Sequence, residues 1–417
     1  MQRTPIRSAQ PGMVIATPVF HTTRHDQVLM RPGVALTTPS IDRLIDTGVR
    51  YIWTESPNLE EVERYVSVGA IQSQAALLVE LESQFERVRT DPRYRLKLDP
   101  LRDSVDGIIS RLAVAPDLRV WAHEPSLPDQ PMLRNAVFVG NVSIAVARLL
   151  DWYLIRERPK LPASNATDVR GLGLAALLHD VGMLRLEPHV VENWQQTHDD
   201  TDLRWRRHVR LGYDLLRHDV EPSAAAAILN HHQTCDGTGF PVRVNAAGAG
   251  PSAASASQIH IFARIIHAAD AFDRMRHPPG TDRAEPRVRV LRRMLSEAHA
   301  SNFDAIVLQA LTRVVPPFPP GARVTLSDGR VGTVTGLNAA SPCRPPITLD
   351  PHVPEDDAEA DSPRPPGDAR IETIRERIDL DSEPELLIAK IDDQDVLMDN
   401  FTLDRPAETE EPREAAA

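Results

Sequence analysis

From about residue 132 to 312 the apolar positions recur at helical spacing almost without interruption. The only breaks are Pro- and Gly-bearing stretches near 159–167, 234–257 and 277–285. That pattern predicts an all-helical domain with exposed connections. Upstream the pattern differs. Gly12 to Ala16 and Gln27 to Met30 read as short strands flanking a polar turn at His21 to Asp26, and Val49 to Trp53 reads as a third strand. Between them Thr38 can cap a small helix with Pro39 at its first position, Ile41, Leu44 and Ile45 as its apolar stripe, and Gly48 as its stop. Residues 58–90 keep helical spacing with charges between, which predicts one long linking helix, and a second helix is expected from about 101 to 115. After the helical domain, alternation over 322–337 around Asp328-Gly329 predicts a β-hairpin, and Leu386 to Ile391 is one more strand-like run.

These boundaries divide the chain into five parts. They are a β-rich N-terminal module (1–56), a helical linker region (57–120), a helical domain (121–315), a β-hairpin appendix (316–350) and an acidic, largely disordered tail with one strand (351–417). The fold class is mainly α. Ala246 to Ser257 is too low in complexity to bury a face and reads as a surface insertion. No internal repeat stands out.

Charge is distributed unevenly. Residues 353–417 hold 21 Asp and Glu against 7 Lys and Arg, so the first 352 residues are near neutral although the whole chain is at −12. A near-neutral body gives no reason to expect binding to a nucleic-acid polymer. No apolar run is long enough for a membrane span and the N-terminus lacks a signal-peptide core, so a cytoplasmic location is expected. Cys235 and Cys343 are too few for a disulfide framework.

The chemistry-bearing residues lie inside apolar helical text. Gly171 to Leu178 ends in His179-Asp180, His208 opens HVRLGYDLL, His231-His232 follow ILN, and Asp270 lies in IIHAAD. Four histidines and two aspartates are costly to bury separately, whereas one or two divalent cations would satisfy them together. A carboxylate such as Asp180 can bridge two ions.

The text LLHDVGM, then His208-x-x-x-Gly212, then HHQTCDGTGFP at 231–241, then RIIHAADAFD at 264–273 resembles the HD-GYP family of metal-dependent phosphohydrolases. PGMVIATPVF through GVRYIWTE and FPPGARVTLSDGRVGTVTGLN resemble modules found before and after that domain. The resemblance implies an all-helical HD-GYP domain flanked by small β units. It implies iron or manganese, one or two per chain, held by His179, Asp180, His208, His231, His232 and Asp270, with Asp180 bridging and His179 and Asp180 serving catalysis. It further implies cyclic di-GMP as substrate or ligand, hydrolysed to pGpG or GMP, with Asp236, Gly239, Phe240, Pro241, Arg274 and Arg276 near the nucleotide. A homodimer or protein partner is compatible with the acidic tail.

Three departures stand out. Phe138 replaces a histidine ligand on the preceding helix, and Arg134 stands where some members add a glutamate. Met183 replaces the phosphate-holding lysine of the HD-x-G-K pattern. Phe240 keeps the ring of the GYP tyrosine without its hydroxyl, Gln233 replaces a glutamate, and His277 stands near the expected phosphate-binding arginine. The expectation is therefore a phosphodiesterase with a reduced site, or a silent relative that binds a nucleotide or partner.

Overall fold

The computed structural model describes residues 1–57, 59–114, 130–242, 256–281, 283–350 and 376–403. Most of the expected insertion at 246–257 and the stretches 351–375 and 404–417 of the expected acidic tail lie outside them.

In the N-terminal module β1 (Gln2–Pro5) pairs antiparallel with β4 (Tyr51–Thr54), and β2 (Val19–Phe20) pairs with β3 (Val28–Met30). Helix α1 (Thr38–Asp46) starts one residue earlier than the sequence suggests. Thr37, not Thr38, is its cap, exchanging bonds with Ser40 in a capping box. Gly12 to Ala16 makes only isolated bridges, through Val14 and Ile15. The expected single helix over 58–90 is broken. A 3-10 helix (Glu60–Tyr65) precedes α2 (Val68–Thr90), because Val66 is extended and Ser67 caps the new start through its hydroxyl.

Helices α3 (Asp99–Val114), α4 (Pro131–Ala147), α5 (Asp151–Glu157), α6 (Ala163–Ala166) and α7 (Arg170–Leu178) follow. Next come α8 (Pro188–Thr197), α9 (Leu203–Arg206), α10 (His208–Leu216) and α11 (Pro222–Asn230). The set closes with α12 (Ile261–Arg276), α13 (Arg287–Leu295), α14 (Glu297–Ala300) and α15 (Ala305–Val314). α4, α7 and α12 are buried on nearly every side and form the centre of the main core. Gly140 lets α4 lie against α7, since a Cβ there would come within 2.5 Å of Leu177. Among the described residues no single helix is long and apolar enough to cross a membrane.

The C-terminal part is larger than a hairpin. β5 (Arg323–Leu326), β6 (Val331–Val334), β7 (Pro346–Leu349), β8 (Arg377–Asp379), β9 (Ile388–Ile391) and β10 (Gln394–Asp395) form one antiparallel sheet in the order β10-β9-β5-β6-β7-β8. Residues 376–403 of the expected tail therefore contribute three strands, because Ile378, Leu380, Ile388, Ile391 and Val396 supply apolar positions that finish the sheet's core. Val288 of α13 belongs to that same core, Phe401 packs against both cores, and Asp399 pairs with Arg289. The sheet is thus built onto the helical domain and is not a separate appendage. A chain ending at Pro316 is expected to lose several degrees of melting temperature, read by circular dichroism, whereas an unchanged melt would show that the sheet is dispensable.

The two β units also meet each other. Gly321, at φ +85, lies so close to Trp53 that a Cβ would fall within 2.5 Å of the indole. The buried Arg3 of β1 forms an ion pair with Asp392 in the β9–β10 turn.

Candidate metal centre

Each candidate ligand sits at a helix end or on a buried helix face. His179 and Asp180 follow α7, His208 opens α10, His231 and His232 follow α11, and Asp270 lies in mid α12. All six are buried. The structure gathers their ligand atoms into two groups that share Asp180. One contains Asp180, His208, His231 and His232, and the other His179, Asp180 and Asp270, with the atoms of each group within 4.8 Å of one another.

The histidines are held in one tautomer by their own helical turns. The Nδ1 atoms of His179, His208 and His231 each lie 2.8 Å from the carbonyl three residues earlier, on Ala176, Trp205 and Ile228. A carbonyl only accepts, so each Nδ1–H donates and each Nε2 is directed inward. His208 Nε2 and His231 Nε2 approach Asp180 Oδ1 at 3.3 and 3.4 Å, and His179 Nε2 approaches Asp180 Oδ2 at 3.4 Å and Asp270 Oδ1 at 3.7 Å.

Among the described residues the Nε2 atoms of His179, His208, His231 and His232, with Asp180 Oδ1 and Asp270 Oδ2, are buried without a hydrogen-bond partner. Leaving a buried polar atom unpaired costs about 1–3 kcal/mol, and a divalent cation in each group would satisfy all six. Imidazoles and carboxylates are a fitting donor set for such a cation.

Burial, reinforced by neighbouring charge, holds His232 well below the ordinary imidazole value, and burial also lowers His231. Both are therefore neutral, as a ligand must be. Burial disfavours a charged His179 too, but the carboxylates of Asp180 and Asp270 outweigh it and push its pKa up to about 10. Burial works against ionisation of Asp180 and Asp270, yet His179 lowers Asp180 and Arg274, with His179, lowers Asp270. The two carboxylates thus favour a protonated His179, and a cation binding at its Nε2 would compete with that proton.

Sequence reasoning missed several supporting groups. Asn135 Nδ2 donates to Asp270 Oδ1 and Asp273 Oδ2, both at 3.1 Å, linking α4 to α12. His267 Nδ1 donates to the His231 carbonyl at 3.0 Å. The text IIHAAD displayed His267, but nothing local told a supporting histidine from a ligand.

A cleft of about 270 Å³ opens above the centre, with Asp180 and Asp270 on its floor. Arg134 and Arg274 line it, but both face carboxylates. Arg134 lies 3.5 Å from Asp273, while Arg274 lies 3.2 Å from Asp270 and 3.1 Å from Asp200. Met183 lines the cleft and packs among Trp194, Trp205 and Phe240. Phe138 is not in the lining, because its ring stacks on Phe272 in the main core with centroids 5.7 Å apart.

The expected nucleotide-side residues divide between a loop beside His232 and the cleft. Asp236 accepts bonds from Thr234 and Thr238 inside its own exposed turn. Gly239 is pressed to the His232 carbonyl, where a Cβ would fall within 2.2 Å. Phe240, joined to Pro241 by a cis peptide, stacks on His232 at 4.5 Å. The 236–241 loop therefore backs His232 and does not line the cleft. Arg276 is turned to the ring of Phe272, leaving Arg274 as the cleft-lining member of that pair.

Residues 154–307 match the HD domain as a family, a span that includes all six converging side chains. The chain is 26% identical over 295 residues to the cyclic di-GMP phosphodiesterase PA4108 of Pseudomonas aeruginosa, covering 70% of this chain and 64% of that protein. It is 30% identical over 109 residues to the cyclic di-GMP phosphodiesterase response regulator RpfG of Xanthomonas campestris pv. campestris, covering 25% of this chain and 26% of that protein. Together with the HD-domain match, these two relatives support the resemblance to the HD-GYP family. The chain thus spans a little under two thirds of the first relative's length and about a quarter of the second's. The HD pair and the paired histidines lie within the matched span, while Phe138 precedes it as an aromatic core residue.

Proposed function

We propose that this chain is a metal-dependent phosphodiesterase that hydrolyses cyclic di-GMP. The observation that carries the proposal is the sharing of Asp180 between two donor groups, beside a cleft that Asp180, Asp270 and several arginines line. His208, His231, His232 and Asp180 would hold one cation, and His179, Asp270 and Asp180 the other; iron or manganese suits these donors. Bound cations would supply activated water and neutralise charge that grows on the phosphate oxygens. The chain's own part is positional: Asn135 orients Asp270, His267 orients the His231 backbone, and Trp205 and Phe240 enclose His208 and His232. Addition of water across one phosphodiester breaks the bond from phosphorus to the ribose oxygen and leaves linear pGpG, and a second addition yields GMP.

A second reading, binding without turnover, is favoured by the pairing of Arg134 and Arg274 with carboxylates and by the apolar Met183 at the cleft. The test is the appearance of pGpG and GMP from cyclic di-GMP with excess manganese or ferrous iron, beside Asp180→Asn. Turnover that Asp180→Asn abolishes supports the enzyme, whereas tight binding with no product supports the second reading.

Because Met183 lines the cleft and Phe138 does not, Met183→Lys should raise kcat/KM several-fold by adding a charge near the phosphate. Phe138→His should bring no comparable gain and should cost about 1–3 kcal/mol, since it places an imidazole in a stacked apolar core. Steady-state kinetics and urea melts of the two variants check this pair of outcomes.

A further inference from the structure

The cleft is not made by the helical domain alone. Arg50, which leads into β4 of the N-terminal module, is one of its lining residues, and Arg283, between α12 and α13, is another. The arginines differ in what they already hold. Arg134 and Arg274 face Asp273, Asp270 and Asp200, and Arg283 donates to the Asp392 carbonyl in the C-terminal sheet. Arg50 is half-buried, and among the described residues its guanidinium has no hydrogen bond or ion pair.

Its backbone, by contrast, is fixed. The Arg50 carbonyl accepts from Ile6 N at 2.9 Å, the next residue pairs with Pro5 in the β1–β4 ladder, and β1 is tied to the C-terminal sheet by Arg3 and Asp392. A guanidinium beside a rigid strand end, in the lining of a cleft that Asp180 and Asp270 also line, is placed to take an anion that cations held there would attract.

We infer that Arg50 is a substrate-binding residue: it receives a phosphate group of the ligand, so the N-terminal module forms part of the site. This rests on the phosphodiesterase reading for the identity of the ligand and on geometry for the role of Arg50.

The experiment is calorimetric titration of the full-length, metal-loaded chain with two probes, cyclic di-GMP and inorganic phosphate, for the parent, Arg50→Gln and Arg50→Lys. Arg50→Gln is expected to weaken both probes at least about tenfold with an unchanged melting temperature, and to raise KM more than it lowers kcat; Arg50→Lys should recover part of the loss. Equal binding by parent and Arg50→Gln, or a loss that Arg50→Lys shares in full, overturns the inference. Arg50-dependent binding of phosphate by a parent that ignores cyclic di-GMP would sink the cyclic di-GMP reading and leave the role of Arg50 standing. A parent that binds neither probe sinks both.

Discussion

Asp180→Asn should strip the chain of both metal equivalents, whereas His179→Ala and His232→Ala should each remove one. The difference follows from membership. His179 belongs only to the group with Asp270, His232 only to the group with His208 and His231, and Asp180 to both. Asparagine keeps the size of the side chain but loses the charge that the buried imidazoles face and the second anionic oxygen needed to bridge. Turnover of cyclic di-GMP by Asp180→Asn is expected to fall by about 10³-fold or more, since one lost stabiliser of transition-state charge already costs about 10²–10³-fold. Metal per chain is measured by elemental analysis after anaerobic reconstitution. If Asp180→Asn retains two equivalents, or if His179→Ala loses both, the shared carboxylate is not the organising element of the centre.

Gly182→Ala should damage both stability and metal retention although glycine bears no ligand. A Cβ at Gly182 would lie 2.0 Å from the His208 carbonyl oxygen and 2.5 Å from Gly212 N. Both are backbone atoms of α10, so no side-chain rotation relieves the overlap, and the whole helix carrying His208 must move. The expected cost is about 3 kcal/mol, the upper part of the range for overpacking. Metal affinity should fall with it, because His208 is carried on the displaced helix. Gly107→Ala in α3 is the natural control. The nearest atom to its added Cβ is the flexible Arg111 Nη1 at 3.4 Å, so the substitution should be neutral or stabilise by up to about 1 kcal/mol. Urea denaturation of both variants, with metal analysis alongside, separates crowding at Gly182 from a general intolerance of substitution.

These two positions also show what sequence reading could and could not reach. The HD pair, His208, the paired histidines and Asp270 were legible because polar residues inside unbroken apolar helical text have to be compensated. Gly182 and Gly212 were visible as letters in a pattern, but the reason for them is a contact between two helices that local spacing does not encode. Asn135, Asp273 and His267 were passed over for the same reason, since their role is to hold other side chains across helix interfaces. The 236–241 loop is expected near the ligand from its resemblance to the motif that names the HD-GYP family, while in the fold its glycine and its ring pack against His232. Leu386 to Ile391 was legible as a strand and holds β9, whereas β8 and β10 were hidden by acidic composition. Their few apolar residues suffice because the rest of the sheet already offers a core to complete.

The ion pair of Arg3 with Asp392 joins positions 389 apart in the chain. Bringing such distant segments together from an unfolded chain is entropically costly, and the cost falls only after the helical domain between them has condensed. The two β units are therefore expected to join after the helices that gather the six ligands have formed, an order that pulse-labelled hydrogen exchange would check. The reverse holds on opening. Amides of β1 and β10 should exchange with solvent at a lower free energy than those of α7, so the contact between the two β units can open while the ligand-bearing helices stay folded.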